Sequence, residues 1–445
     1  MLTETENLQD CAASHADAIA AMRKRLTVIG EHRIFAGDCI DIMAALKYGR
    51  PVDSIVTDPP YHLASIVKRF GGDDAAPTKA TGAYKRAAAG FMGQKWDGGD
   101  IAFRPETWRA CFDMLKPGGH LIAFCGTRTY HRMACAIEDA GFEIRDSLCW
   151  HYGSGFPKSQ NISAAIDRAA GAEREVVGSK VGLPGYSLAE SKGANLYGGG
   201  IGGSGNPHKE CEITAPATPE ARQWEGWGTA LKPATELICL ARKPLSEPTI
   251  AANVLKHGTG GLNIDGCRVG SAGARNNGRR QDSAIYGKFG PTDRVDYGKG
   301  RFPANLIHDG SPEVMGVFPD EEARFFYQAK AQNSERVFQC RECGGRWHGK
   351  AECGHKDIRS HPTVKPVALM RHLVRLVTPP GGTVLDPFAG TGTTGAACVL
   401  EGFHSVLIER EPDHVGDIVF RLQNMTAAPV SETAVTSAGR QGVLF

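Results

Sequence analysis

The sequence predicts an α/β fold, a doubly wound and mostly parallel sheet interrupted by a long insertion, and three observations carry that reading. Short apolar segments alternate with amphipathic ones from about residue 32 to 150, the pattern of strands covered by helices on both faces. The same alternation returns after residue 361, with a different texture in between. The C-terminal stretch holds only two strands, too few to bury both of their faces alone. The two stretches are therefore expected to share one sheet.

In chain order, the periodicity predicts a strand at 33–36, a helix at 40–47 and a strand at 54–57, followed by a long loop rich in Gly, Ala and Lys. A helix at 105–115 should stop at Lys116-Pro117-Gly118-Gly119, ahead of an apolar strand at 121–125. A helix at 130–139 and a strand at 143–150 complete the first alternation. Beyond Phe156 come Gly-rich runs such as Gly198-Gly199-Gly200-Ile201-Gly202-Gly203, with many Arg, Asn and His residues and few long periodic segments. The alternation then resumes with a helix at 366–377, a strand at 383–385, a helix at 395–401, a strand at 405–408 and a helix ending near 424. The expected organisation is a first half over 1–158, an insertion over 159–360, a second half over 361–424 and a small, polar, disordered tail over 425–445.

The bulk composition narrows the class. At 445 residues, 41% apolar and 22% charged, the chain can bury a full-sized core and carry an inserted domain. Its first 25 residues mix charges with Ala and build no apolar run, so neither a signal peptide nor a membrane span is expected, and the expected location is cytoplasmic. Thirteen cysteines are scattered, with Cys39, Cys125, Cys149 and Cys239 inside apolar segments; that distribution suits reduced core thiols rather than a disulfide framework. The net charge of +2 decides nothing, but residues 242–301 hold eleven Lys and Arg against five Asp and Glu. Such a stretch suits a polyanion, or a solvated loop.

Asp58-Pro59-Pro60-Tyr61 directly follows the buried strand at 54–57, which places it at the carboxyl edge where open α/β sheets bind ligands. The two prolines stiffen the turn. The Asp58 carboxylate and the Pro59 carbonyl can accept two hydrogen bonds from one amino group, drawing its lone pair out of ring conjugation and aiming it at an electrophile. The exocyclic amine of adenine or cytosine is otherwise a poor nucleophile, so preorganised acceptors are the main thing an enzyme can supply. Tyr61 offers a flat face to an extruded base.

A second strand-to-helix turn, Asp386-Pro387-Phe388-Ala389-Gly390-Thr391-Gly392-Thr393-Thr394-Gly395, is expected at the same edge. Its glycines allow a ligand close to the backbone. Gly390, Gly392 and Gly395 match a dinucleotide fingerprint, with Glu409 at the end of the next strand to hold ribose hydroxyls, so a nicotinamide oxidoreductase competes. Against it, the charge of Asp386 would repel a pyrophosphate but attract the cationic end of S-adenosylmethionine. A Walker loop fails, since no Gly-Lys-Ser or Gly-Lys-Thr follows.

Together these motifs resemble the amino-methylating DNA methyltransferases of the β arrangement, in which the Asp-Pro-Pro-Tyr precedes the cofactor loop. Gly37-Asp38-Cys39 resembles the family's turn against the cofactor adenine, and His361-Pro362-Thr363-Val364-Lys365-Pro366 the segment lining the methionine end. Residues 150–158, Trp150 through Phe156 to Lys158, resemble the aromatic strand end beside the flipped base. The matches span 33–158 and 361–424. The resemblance implies a Rossmann-like methyltransferase fold whose insertion recognises the target, and a site-specific enzyme that transfers methyl from S-adenosylmethionine to N6 of a flipped-out adenine in double-stranded DNA. N4 of cytosine is the alternative, and a cognate restriction endonuclease is a partner such enzymes can have.

In that reading Asp58, Pro59, Pro60 and Tyr61 are catalytic. Asp38, Cys39, Thr363, Lys365, Asp386, Phe388, Gly390, Thr391, Gly392, Thr393 and Glu409 line the cofactor. No cysteine nucleophile is required, and the chain contains no Pro-Cys dipeptide. Adenine is favoured over cytosine because Asp, not Ser, opens the motif.

The basic stretch, with Arg275, Arg279, Arg280, Lys288, Arg294 and Arg301, suits contacts to phosphates or guanine. The 62–96 loop, with Lys68, Arg69, Lys79, Lys85 and Arg86, is long enough to close over DNA. Cys340-x2-Cys343 followed by Cys353-x-His355 has the composition of a tetrahedral zinc site, weighed against ordinary surface thiols; closed to water, it would be structural. A non-catalytic nucleic-acid-binding protein with a zinc knuckle is the remaining alternative.

Overall fold

The computed structural model describes residues 24–61, 100–153, 155, 159–181, 210–269, 300–318, 327–328, 333–349, 352–355, 357–361 and 364–427. The elements begin with β1 (Leu26–Ile29), β2 (His32–Ala36), α1 (Cys39–Leu46) and β3 (Val52–Thr57). They continue with α2 (Pro105–Met114), β4 (Leu115–Cys125), α3 (Tyr130–Asp139) and β5 (Glu143–His151). The middle of the chain forms α4 (Ile162–Ala169), β6 (Val176–Val181), β7 (Glu210–Thr214), α5 (Pro219–Gln223), β8 (Thr235–Arg242) and α6 (Ile250–His257). Then come β9 (Leu306–His308), α7 (Pro312–Met315), β10 (Tyr327–Gln328), β11 (Val337–Cys340), β12 (Arg346–His348) and β13 (Ile358–Ser360). The last elements are α8 (Val367–Val377), β14 (Thr383–Asp386), α9 (Thr393–Glu401), β15 (His404–Glu409) and α10 (Pro412–Ala427).

One ten-stranded sheet, in the order β1-β2-β15-β14-β3-β4-β8-β5-β9-β10, runs through the molecule. The two C-terminal strands sit inside it, β14 parallel to both β15 and β3, so the two halves share one sheet as expected. Every residue of β3 is buried, and period-2 alternation sends successive side chains to opposite faces. Ile55, Leu121, Ala123 and Cys239 pack with α1, α2 and α3; Val56, Ile122, Phe124 and Ile238 pack with α8 and α9. A core on each face is the doubly wound architecture.

Two features differ from the sequence-based expectation. Helix α2 ends at Met114 and runs directly into β4, so Lys116-Pro117-Gly118-Gly119 is a bulge inside a strand. The partner of Val52 is Leu115 but that of Ser54 is His120. Gly118, at φ 77, donates its amide to the carbonyls of Lys243 and Pro244, and Asn253 and Thr259 donate to Pro117 O. Those partners come from the insertion. The insertion also supplies β8, which lies between β4 and β5 and antiparallel to both, and β9 and β10 at one end of the sheet. The sheet thus runs through the expected boundary at 158.

Strands β11, β12 and β13 form a separate antiparallel sheet in the order β12-β11-β13. It is docked on α10 by Arg346 Nε and Arg359, which reach the Asp417 carboxylate at 3.0 and 3.4 Å. No helix among the described residues is long and apolar enough to cross a membrane.

Buried His372 on α8 stacks on Tyr327, with ring centroids 4.0 Å apart, and burial lowers its pKa to about 4. In the unfolded chain it protonates near pH 6.5, so the stability it contributes is complete above that value and lost as pH falls toward 4. His372→Phe should therefore gain on the wild type by about 3 kcal/mol between pH 7 and pH 4. Denaturant midpoints at the two pH values measure it; parallel acid losses in the two proteins would contradict it.

Candidate active site

Strands β3 and β14 are neighbours and point the same way, so the turns that follow them open at one edge. The link is direct. Thr57, the last residue of β3, donates its hydroxyl to Asp386 Oδ1 at 2.7 Å. Asp386 also accepts from the Phe388 amide at 3.1 Å and from Thr394 Oγ1 at 2.6 Å. A carboxylate read in the sequence as facing a cationic ligand thus has both oxygens engaged inward. It ties β3 to the first turn of α9, and burial pushes its pKa up to about 6.

Asp58 and Tyr61 emerge from β3 beside two residues that arrive from elsewhere. Lys365, ahead of α8, places its ammonium 2.7 Å from Asp58 Oδ2, 3.0 Å from the Tyr61 hydroxyl and 3.2 Å from Glu236 Oε2. The Tyr61 hydroxyl donates to the same Glu236 oxygen at 2.9 Å. Burial raises the pKa of Asp58, with the Lys365 charge working against it. Burial also raises Tyr61 well above the usual phenol range, helped by the two carboxylates. Asp58 Oδ1 is buried and has no hydrogen-bond partner among the described residues. An unpartnered buried carboxylate oxygen costs free energy, and among the described residues this one is an acceptor left open.

The turn after β14 carries Gly390 and Gly392 at φ 54 and 79, left-handed values that L side chains adopt at a cost. A Cβ on Gly390 would meet nothing within 4 Å, whereas one on Gly392 would press on Ile418. The first glycine therefore faces open space and the second faces α10. Glu409 accepts the amides of Gly390 and Glu411, each at 2.8 Å, with lone pairs to spare. Gly37 donates to the carbonyl of Glu409 at 2.9 Å, and Asp38 caps α1 by accepting from Ile40 at 2.9 Å. The turns after β2, β14 and β15 so form one cradle beside Asp58. Arg421, buried in α10, holds its floor by donating to Thr391 O at 2.9 Å and Glu335 O at 2.9 Å.

A DNA methylase family model, N6_N4_Mtase, matches residues 52–420. The chain belongs to that family. Among proteins of known activity, the methylase is 23% identical to the Type II methyltransferase M.HindIII of Haemophilus influenzae over 362 residues, 77% of this chain and 80% of that protein. Solved structures similar to it include the complex of M1.HpyAVI with SAM (15% identity, TM-score 0.34, 87% of this chain and 98% of that one). Another is PvuII DNA methyltransferase, cytosine-N4-specific (12% identity, TM-score 0.37, 88% and 89%).

The methylase brings most of the residues singled out in its sequence to this edge. Asp58, Pro59, Pro60 and Tyr61 lie beside the turn carrying Phe388, Gly390, Thr391, Gly392 and Thr393, with Asp38 and Glu409 on its far side. Cys39 points into the core, where burial pushes its thiol up to about 12. Lys365, expected among the cofactor residues, instead has its ammonium on Asp58. Trp150 is a core residue at 9% exposure, its ring 5.1 Å from that of Tyr152. Thr363, Phe156, Lys158, Arg279, Arg280 and the 62–96 loop lie outside the described residues. Glu236 and Arg421 escaped the sequence reading altogether. Apart from this edge, Cys340, Cys343, Cys353 and His355 converge, their ligand atoms all within 4.8 Å of one another.

Proposed function

We propose that the protein transfers a methyl group from S-adenosylmethionine to N6 of an adenine extruded from double-stranded DNA. The observation that carries this reading is the buried Asp58 Oδ1, unpartnered among the described residues, one residue from a proline carbonyl and beside a cradle of glycine amides and a carboxylate. The cradle fits the cofactor: Gly390 leaves open space in front of the loop, Glu409 can accept from ribose hydroxyls, and Phe388 offers an apolar face. Bound there, the cofactor supplies an electrophilic methyl on sulfur.

The chain's own residues prepare the nucleophile. Asp58 Oδ1 accepts one N–H of the amino group and the Pro59 carbonyl accepts the other, which localises the nitrogen lone pair and stabilises the positive charge that develops on it. The ring of Tyr61, tethered at its hydroxyl by Lys365 and Glu236, stacks on the base. Target recognition would fall to residues 159–360, with the basic stretch around Arg279 and Arg280 on the phosphates. Asp at the head of the motif favours adenine. Incubation with tritiated cofactor and DNA, followed by digestion to nucleosides, should place the label in N6-methyladenine; label in N4-methylcytosine alone would overturn the choice of base.

The Cys340, Cys343, Cys353 and His355 cluster is proposed to hold a structural zinc ion. Three thiols and an imidazole satisfy a closed tetrahedral site, whose ligand atoms stand ~3.8 Å apart for sulfur pairs, and the span of 4.8 Å in the protein needs only a small contraction. Protein purified without chelator should contain about one zinc per chain by elemental analysis. Finding none would remove the proposal.

A further inference from the structure

Glu236 has no place in the Asp-Pro-Pro-Tyr motif or in the cofactor loop, yet it accepts from Tyr61 and lies against Lys365, whose ammonium also holds Asp58. It is the second residue of β8 and pairs with Trp150 of β5. Because β8 runs antiparallel to β4 and β5, its beginning lies at the edge where those strands end. Its Oε2 accepts from Tyr61 at 2.9 Å and lies 3.2 Å from the Lys365 ammonium. Lys365 is 8% exposed at its side chain and Glu236 19%. The three protons of the ammonium match its three neighbours, Asp58, Tyr61 and Glu236.

The charge count gives the cluster its meaning. With Lys365 paired to Asp58 alone, the site would be a neutral ion pair, and a carboxylate so neutralised is a poor acceptor for an amino group gaining positive charge. A second carboxylate on the same ammonium leaves the cluster with one net negative charge. It also fixes the Tyr61 hydroxyl, and hence the plane of the ring. We infer that Glu236 is a positioning residue for methyl transfer, holding Lys365 and Tyr61 so that the Lys365 ammonium does not cancel the negative charge Asp58 presents to the amino group. This rests on the methyltransferase reading above.

Among the described residues, the titratable groups facing Asp58 are Lys365, Glu236 and Tyr61, with Asp386 on β14 and Cys125 on β4 beyond them; Tyr152, just after β5, faces Glu236 and Lys365. Glu236 opposes ionisation of Asp58 through its charge. Removing that charge while keeping the shape, as in Glu236→Gln, should therefore move the acidic limb of the rate profile to lower pH even as the plateau falls.

The test is single-turnover methylation of DNA by the full-length protein across pH. Glu236→Gln should lower the plateau rate about ten-fold or more, leave the KM for S-adenosylmethionine within about two-fold, and shift the acidic limb downward. Glu236→Asp, which keeps the charge, should recover part of the rate and the original limb; it also serves if Glu236→Gln folds poorly. Wild-type rate and an unmoved limb in Glu236→Gln would overturn the inference, as would a loss confined to KM or an equal loss in both variants. A wild-type protein that labels no DNA would instead count against the methyltransferase reading.

Discussion

Asp58→Ala is expected to slow methyl transfer to DNA by about 10³-fold or more, while S-adenosylhomocysteine binds within a few-fold of its wild-type affinity. The side chain removed is the one whose Oδ1 has no partner among the described residues, so no internal hydrogen bond is lost on that side. On the other side Lys365 keeps Tyr61 and Glu236 as partners. The cradle at Gly390 and Glu409 is not touched. The reaction loses the acceptor for the amino proton and the charge opposite the developing cation. Incorporation of labelled methyl, with calorimetric titration of S-adenosylhomocysteine alongside, measures both. A variant that still methylates within ten-fold would place the chemistry elsewhere.

The second large effect separates two roles for Asp386. If its charge served mainly to attract the cofactor, Asp386→Asn and Asp386→Ala would lose affinity alike. The geometry gives a different result. Asp386 accepts from Thr57, Phe388 and Thr394, and an asparagine can still accept the first two through its oxygen while donating to the Thr394 hydroxyl. Alanine leaves three buried donors without an acceptor, each worth about 1–3 kcal/mol, and unties β3 from α9. Asp386→Ala should therefore lose several kcal/mol of stability, with cofactor binding abolished. Asp386→Asn should keep most of both, and be less penalised above pH 6, where the wild type must bury a charge. Thermal midpoints and S-adenosylhomocysteine titrations of the two variants decide between the roles; equal losses in both would favour the charge.

What the sequence disclosed was what short-range pattern controls. Helices α3 and α8 and strands β3 and β15 were legible because apolar period and turn residues agree over their whole length. That β14 and β15 must join the N-terminal strands followed from burial alone. The bulge at Pro117-Gly118 read as a stop because its partners, Lys243, Pro244, Asn253 and Thr259, are distant in the chain. Strand β8 was hidden for a related reason. Its run Thr235–Arg242 lies inside the region read as an insertion and has no alternation to mark it, since its second half is buried on both faces.

Missing β8 meant missing Glu236, a lone acid at the start of an apolar run. It also left Lys365 assigned to the neighbouring cofactor segment. The Asp-Pro-Pro-Tyr and glycine-loop motifs point to the groups proposed to meet the reactants; Glu236 and Arg421, which brace them, come from parts of the chain that those motifs do not reach.

The central claim is that the turn after β3 and the turn after β14 face one another across a single site. A crystal structure with S-adenosylhomocysteine bound tests it most directly. The ligand should lie along Gly390 and Glu409 with its sulfur turned toward Asp58 Oδ1, leaving room between them for an amino nitrogen at a near-attack distance of ~3–3.5 Å from the methyl position. A ligand held elsewhere, or with its sulfur turned away from Asp58, would contradict the account.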